Sequence, residues 1–292
     1  MNFAIGLPAF NEEKNIGSII IKLKELTKNV IVCDDGSTDL TSKIASELGA
    51  ITIVHQKNMG YGAAISSLFS KALEIGVDAL VTFDADGQHR FEDIKAVLEP
   101  VIRDEADIAI GSRFMGDDSM VPRYRKIGIK TITGLTNVTT GSKITDAQSG
   151  FRAYNKKVLE SIIPSEHGMG VSTEILIKSA KSKFRIAEVP ITIRYDGETS
   201  THNAISHGSS VIISTLKYVS IERPLSFYGI PGIILLTIGL AFSIWAIQVF
   251  VNERELITNI ALIGIAGVIV GIVLLITAII LYSIISVIRE HK

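Results

Sequence analysis

No aspartate, glutamate, lysine or arginine occurs between Pro224 and Asn252, and none between Leu256 and Ile288. A helix needs roughly 20 consecutive apolar residues to cross the hydrocarbon core of a bilayer, and both stretches exceed that. The feature excludes a wholly soluble chain. The joining residues, Asn252-Glu253-Arg254-Glu255, are too few for a domain, so the spectrum of folds narrows to a two-helix hairpin. Its spans are expected at about 226–251 and 258–286. Lys217 and Arg223 flank one end, Arg289 and Lys292 the other, and the connection holds one Arg and two Glu. The positive-inside bias then places the preceding domain and both termini in the cytoplasm, at a cell membrane. The hairpin could also pack against a copy of itself.

The charge that the hairpin lacks is concentrated upstream. A net charge of −1 excludes a general polyanion binder, so nucleic acid is not an expected partner. The single cysteine, Cys33, excludes a disulfide framework and any Cys-based zinc site. The first eight residues carry no basic n-region and no small-residue cleavage site; they read as a strand, not a signal peptide.

From residue 1 to about 115, short apolar runs alternate with helical spacing. The runs are Phe3–Leu7, Val30–Cys33, Ile51–Val54, Ala79–Phe83 and Ile108–Ile110. Between them, Ile16, Ile19, Ile20, Leu23 and Leu26 mark one helical face, and Ala64, Ile65, Leu68, Phe69 and Leu73 another. Such alternation predicts a mostly parallel, Rossmann-like α/β sheet covered on both faces. Ligands of these sheets bind at the carboxyl ends of the strands. Residues 116–200 are less regular: a basic stretch Arg123-Tyr124-Arg125-Lys126, a polar turn Thr145–Gly150, a helix after Ser172-Thr173-Glu174, and a last strand Arg185–Arg194 that Pro190 assigns to an edge. The segment 205–223 suits an amphipathic helix in the headgroup region, the alternative being a helix packed on the globular core. The expected division is 1–204, 205–223 and 224–292.

Three polar turns fall at strand ends. Asp84-Ala85-Asp86-Gly87-Gln88 follows the run Ala79–Phe83, and its two carboxylates, one residue apart, suit a hard divalent cation. Asp-x-Asp triplets also occur as solvated turns and helix caps. Pro8-Ala9-Phe10-Asn11-Glu12-Glu13 closes the first strand and Cys33-Asp34-Asp35-Gly36-Ser37-Thr38-Asp39 the second. Acidic residues there also serve helix N-termini and Asx turns.

Together with Lys57-Asn58-Met59-Gly60-Tyr61-Gly62, Gly111-Ser112-Arg113 and Ser149-Gly150-Phe151-Arg152, these motifs resemble, in order and spacing, the family 2 glycosyltransferases of the GT-A fold. Within them the chain is most similar to membrane-anchored polyprenyl-phosphate (dolichol-phosphate) glycosyltransferases over residues 1 to about 200, and its anchor to that of the bactoprenol glucosyltransferases. The resemblance implies donor contacts at Pro8, Phe10, Glu12, Cys33 (through its backbone), Asp34, Asp35, Lys57, Gly60, Asp84, Ala85 and Arg194. It implies Mg²⁺ or Mn²⁺ at Asp84, Asp86 and Gln88, and an acceptor phosphate held among Arg113, Arg123, Arg125, Ser149 and Arg152. Phe10 stands where mannose synthases of this group carry Tyr, and the run Gly197-Glu198-Thr199-Ser200-Thr201 lacks their lysine. The departure favours a UDP-sugar over GDP-mannose.

The implied reaction is inverting transfer of a sugar to polyprenyl or dolichyl phosphate. That acceptor is already anionic, so catalysis rests on positioning and charge neutralisation. Asp86, Arg113, Asp146 and Glu174 are the candidate catalytic residues; Glu174 resembles the base of related inverting enzymes, though a first-turn helical Glu reads the same way. Three alternatives remain. One is a GDP-mannose-dependent dolichol-phosphate mannose synthase. A diacylglycerol or ceramide hydroxyl acceptor would make Glu174 or Asp146 an essential base. A membrane-anchored sugar-nucleotide sensor would bind without turnover.

Overall fold

A computed structural model describes residues 2–115, 121, 123–193, 220, 224–254 and 257–290. The chain divides into two compact units, 1–215 and 216–292. This division falls inside the segment expected to form a separate interfacial helix; that segment, Ser220 apart, lies outside the described residues.

The five apolar runs of the N-terminal half become β1 (Phe3–Ala9), β2 (Asn29–Asp34), β3 (Ile51–Val54), β4 (Ala79–Thr82) and β5 (Ile108–Ser112). Between them lie α1 (Ile16–Lys24), α2 (Thr41–Glu47), α3 (Tyr61–Glu74) and α4 (Asp93–Ile102). Then follow α5 (Arg123–Thr140), β6 (Arg152–Asn155), α6 (Lys156–Ser161), α7 (Val171–Lys181) and β7 (Ile186–Pro190). The sheet order is β3-β2-β1-β4-β6-β5-β7. All pairings are parallel except those of β6, which runs antiparallel to both neighbours. Pro190 does lie on an edge strand, where its missing N–H costs no ladder bond.

Strands buried on both faces need two apolar layers. On one side Ile16, Ile20 and Leu23 of α1 and Ile94 and Val97 of α4 cover Ile5, Val32 and Val81. On the other, Leu68 and Phe69 of α3, Leu159 of α6 and Ile175 of α7 cover Ile31, Leu80 and Ile108. Chain order reverses between β1 and β4, so their carboxyl ends flank a topological switch point.

Two features correct the sequence reading. The stretch read only as basic is the start of an 18-residue helix, α5. Thr and Gly are poor helix formers, which hides the helix from periodicity; here Thr131, Thr136, Thr139 and Thr140 donate their hydroxyls to carbonyls four residues back. Helix α7 begins at Val171, so Ser172, Thr173 and Glu174 lie in its first turn rather than ahead of it.

In the second unit a π-type turn, Leu225–Gly229, leads into α8 (Ile230–Glu253), which packs on α9 (Thr258–Glu290). Both are long and apolar enough to cross a bilayer over Leu225–Glu253 and Thr258–Val287. Small residues let the two backbones touch. A Cβ added at Gly239 would sit 2.5 Å from Val268 N, and one at Gly271 2.6 Å from Leu236 N. Gly239→Leu is therefore expected to cost about 1–3 kcal/mol by overpacking, seen as earlier thermal unfolding of the detergent-solubilised protein.

Candidate active site

The parallel register sets Pro8 beside Cys33 and Ala9 beside Asp34, so the first two polar turns leave the sheet together. They are stitched to each other. Glu12 N donates to Thr41 Oγ1 at 2.8 Å, and Thr38 N to Asn11 Oδ1 at 2.9 Å. Asp34 is buried and accepts from Ser37 N at 2.9 Å and from the Ser37 hydroxyl. Asp34 is thus a turn cap, not an open donor contact. Asp35 is also buried and accepts from Met59 N at 2.9 Å, Gly60 N at 2.7 Å and His55 Nδ1 at 2.6 Å. It acts on the loop 57–60 from beneath. Cys33 is buried, and burial, reinforced by Asp35, pushes its thiol up to about 12. Phe10, 43% exposed, and Lys57, also exposed, remain open at this edge, as does the half-buried Glu12.

The third turn lies across the switch point. Asp84 accepts from Tyr61 Oη at 3.2 Å and pairs with His89 Nε2 at 3.2 Å. Burial alone would raise its pKa, but these two bonds and the nearby Arg113 charge hold it below the usual value. Asp86 is exposed at the turn tip, yet local desolvation and the charge of Asp84 raise it. Glu12 is raised by burial against its Asn15 hydrogen bond, with Asp86, Asp39 and Asp84 adding to the rise. Three acidic turns therefore feel one another's charge, as a site for a cation requires. Among the described residues no three His, Cys, Asp or Glu side chains form a metal cage of their own. Mg²⁺ and Mn²⁺ need none: one or two carboxylates suffice when substrate phosphates and water complete the shell. Asp86, with Asp84 and Gln88 beside it, fits that donor set. Ala85 is buried in the turn.

Arg113 leaves the end of β5 and is gripped by Asp146, with Nε–Oδ2 at 2.6 Å and Nη2–Oδ1 at 2.8 Å. Asp146 is fully buried. Glu188 of β7 holds the same loop by accepting from Thr145 N at 2.8 Å and Asp146 N at 3.0 Å. Asp146 is therefore a positioning residue for Arg113, not an open base.

Two candidates are corrected outright. Arg152 is buried at 1% exposure, and it spends Nε on Ser149 O, Nη1 on Ser172 O and Nη2 on Ala147 O, all within 2.9 Å. It ties the turn to α7 and cannot reach an acceptor phosphate. Glu174 is fully buried; it accepts from Ser165 N and Glu166 N and pairs with Lys178 Nζ at 2.6 Å. It is a helix-start carboxylate holding the segment 165–166, not a base. Burial raises its pKa, but Lys178, Ser165 and the backbone bonds outweigh that and lower it. A lowered carboxyl stabilises the fold above its unfolded value and loses that contribution as pH falls through the folded value. Glu174→Gln should thus destabilise the protein at about pH 7, and the deficit should shrink as pH falls below the usual carboxylate range, read by urea unfolding across a pH series.

The segment that Glu174 holds runs on to His167, which supports the loop 57–60. Gly60 has φ +99°, and Gly62 N donates to His167 O at 2.8 Å. A Cβ at Gly62 would fall on Glu166 O. Gly62→Ala is expected to cost about 1–3 kcal/mol and to raise the donor KM, measurable by denaturation and by steady-state kinetics. Gly150 is constrained similarly, since its Cβ would meet Tyr61 Oη and lie 3.1 Å from the Asp84 carboxylate. Ser149 is buried, and its hydroxyl has no hydrogen-bond partner among the described residues.

Arg194 lies outside the described residues, as do the side chains of Arg123 and Arg125 at the start of α5. The sequence reading passed over Tyr61, His89 and His55. The first two lie within or beside quoted motifs; His55 had no signal beyond its place after β3.

A sheet of this order, with acidic turns gathered at a switch point, defines a nucleotide-binding α/β class. Residues 4–163 match glycosyl transferase family 2, and the chain belongs to that family. It is therefore a glycosyltransferase. It is 35% identical over 229 residues to the UDP-N-acetylglucosamine–dolichyl-phosphate N-acetylglucosaminyltransferase of Methanococcus voltae, covering 71% of this chain and 89% of that protein. It is 33% identical over 199 residues to the polyprenol monophosphomannose synthase of Mycolicibacterium smegmatis, covering 64% and 75%. Glucosyl-3-phosphoglycerate synthase from Mycobacterium tuberculosis, solved with Mn²⁺, UDP and glucosyl-3-phosphoglycerate, shares the fold: TM-score 0.59, 21% identity, 74% of this chain and 79% of that one. The GT-A architecture expected from the motifs is the one observed.

Proposed function

We propose that the chain transfers a hexose from a UDP-sugar to polyprenyl or dolichyl phosphate at the cytoplasmic membrane face, inverting the anomeric carbon. The observation that carries the reading is the state of the acids. Asp146 and Glu174, the two candidate bases, are both fully buried and occupied by partners. A hydroxyl acceptor needs a base; a phosphate monoester does not. The relatives named for dolichyl and polyprenol phosphate acceptors support the same choice. The two candidate spans would keep a lipid acceptor within reach.

Phe10 and Glu12 would meet the nucleoside, above the loop that Asp35 holds. Asp86, with Asp84 and Gln88, would hold Mg²⁺ or Mn²⁺, which supplies charge neutralisation to the departing nucleoside diphosphate. Arg113, its fork fixed by Asp146, would bind phosphate oxygens in a defined plane. An acceptor phosphate oxygen then forms the new bond to the anomeric carbon as the bond to the diphosphate breaks. The Ser149 hydroxyl would donate to the acceptor. Membranes containing the chain, given labelled UDP-glucose, UDP-N-acetylglucosamine and GDP-mannose with polyprenyl phosphate, should pass label from a UDP-sugar into the lipid phase. Label from GDP-mannose alone would correct the donor, and no lipid label from any donor would overturn the reading.

A further inference from the structure

Beneath the donor edge lies a buried chain of polar contacts that the reaction outlined above does not use. His55, just past β3, bonds Asp35 Oδ1 through Nδ1 at 2.6 Å and Ser67 Oγ of α3 through Nε2 at 2.8 Å. Its side chain is 10% exposed and that of Asp35 is 6% exposed. The thiol of Cys33 lies 3.5 Å from the same Nε2. Asp35 spends its remaining capacity upward, on the backbone N–H groups of Met59 and Gly60. These amides belong to the loop that enters α3 at Tyr61, whose hydroxyl donates to Asp84. The loop is also pressed from both sides. A Cβ at Gly36 would lie 2.5 Å from Lys57 C, and one at Gly60 would meet His167 O.

We propose that His55 is a positioning residue for donor binding: Ser67 fixes its ring, the ring fixes the Asp35 carboxylate, and the carboxylate fixes loop 57–60. Met59 N and Gly60 N each take one Asp35 oxygen, which orients the carboxylate toward the loop. The 2.6 Å bond from Nδ1 to Oδ1 anchors that carboxylate from the side opposite the loop, as outer-shell partners do for ligands elsewhere. The two ring nitrogens have different tasks, which makes the idea separable by substitution. Asn places an amide where Nδ1 stands and keeps the bond to Asp35. Gln reaches the position of Nε2 and keeps only the bond to Ser67.

The inference rests on the donor edge proposed above. The test is titration calorimetry of full-length detergent-solubilised protein with UDP and Mn²⁺, alongside steady-state kinetics and thermal melting. His55→Gln should weaken UDP binding and raise the donor KM about tenfold, with kcat and the acceptor KM little changed. His55→Asn should restore most of the affinity. Ser67→Ala, a one-atom truncation that leaves the ring in place, should weaken binding by a smaller factor in the same direction, and it serves if His55→Gln does not fold. Equal loss in His55→Asn and His55→Gln, or a fall in kcat with KM unchanged, would overturn the proposal. Wild-type protein that binds neither UDP nor GDP would overturn the donor-site reading itself, and this inference with it.

Discussion

Asp86→Ala is expected to lower sugar transfer by about a thousandfold while leaving the fold intact. The side chain is exposed at the tip of its turn, so its loss empties no core. Its pKa is raised by local desolvation and by Asp84, a sign that the free protein holds two carboxylates in mutual repulsion. Removing one relieves that repulsion, so the melting temperature of the metal-free protein should stay level or rise slightly. Mn²⁺ with UDP should stabilise the parent protein against heat and should fail to stabilise the variant. A variant retaining near-parent turnover would show that Asp86 holds no ion needed for the reaction.

The second large effect is expected at Asp146. It is fully buried and grips Arg113 with both oxygens, so Asp146→Ala breaks a buried charge pair, at a cost of about 3–5 kcal/mol. The guanidinium loses its fixed plane, and turnover should fall at least a hundredfold. Asp146→Asn separates positioning from proton transfer. The amide oxygen still accepts from Arg113 Nε, so a positioning role predicts clearly more activity in Asn than in Ala. Equal loss in both, with both folded, would assign proton transfer to Asp146 instead. Stopped-assay kinetics and chemical unfolding of the pair decide it.

Much of the architecture was legible because it depends on repeated local signals. The apolar runs at 3–7, 30–33, 51–54, 79–83 and 108–110 are short and bounded by polar turns, and all became strands. The charge-free stretches became long helices for the same reason. What escaped lacked such signals. Helix α5 draws on Thr and Gly, whose low propensity conceals it, and the antiparallel β6 cannot be told from a loop by four residues, Arg152–Asn155. The contact between α8 and α9 depends on which glycines face each other across two turns of chain, which one sequence does not specify.

The site was legible as a set of turns but not as a set of roles. The motif positions of Asp34, Asp35, Asp84, Asp86, Asp146 and Glu174 implied donor, metal or catalytic roles for all six. Burial and hydrogen bonding separate them. Asp34 caps a turn, Asp35 holds a loop, Asp146 orients an arginine and Glu174 supports a neighbouring segment, whereas Asp86 stays open. Arg152 shows the converse: its motif position implied a phosphate ligand, but three carbonyls consume its guanidinium. A side chain's chemistry is set by what remains after its structural bonds are made, and that remainder is a tertiary property.

The central claim is that the acceptor is a lipid phosphate, because Asp146 and Glu174, the two carboxylates proposed as bases for a hydroxyl, are buried and occupied by partners. The most direct test gives purified, detergent-solubilised protein one labelled UDP-sugar with, in parallel, polyprenyl phosphate, the matching polyprenol, and diacylglycerol. The account predicts label in the polyprenyl phosphate product alone, identified by mass spectrometry as a hexose phosphodiester. Label in polyprenol or diacylglycerol, with the phosphate lipid left unmodified, would contradict it.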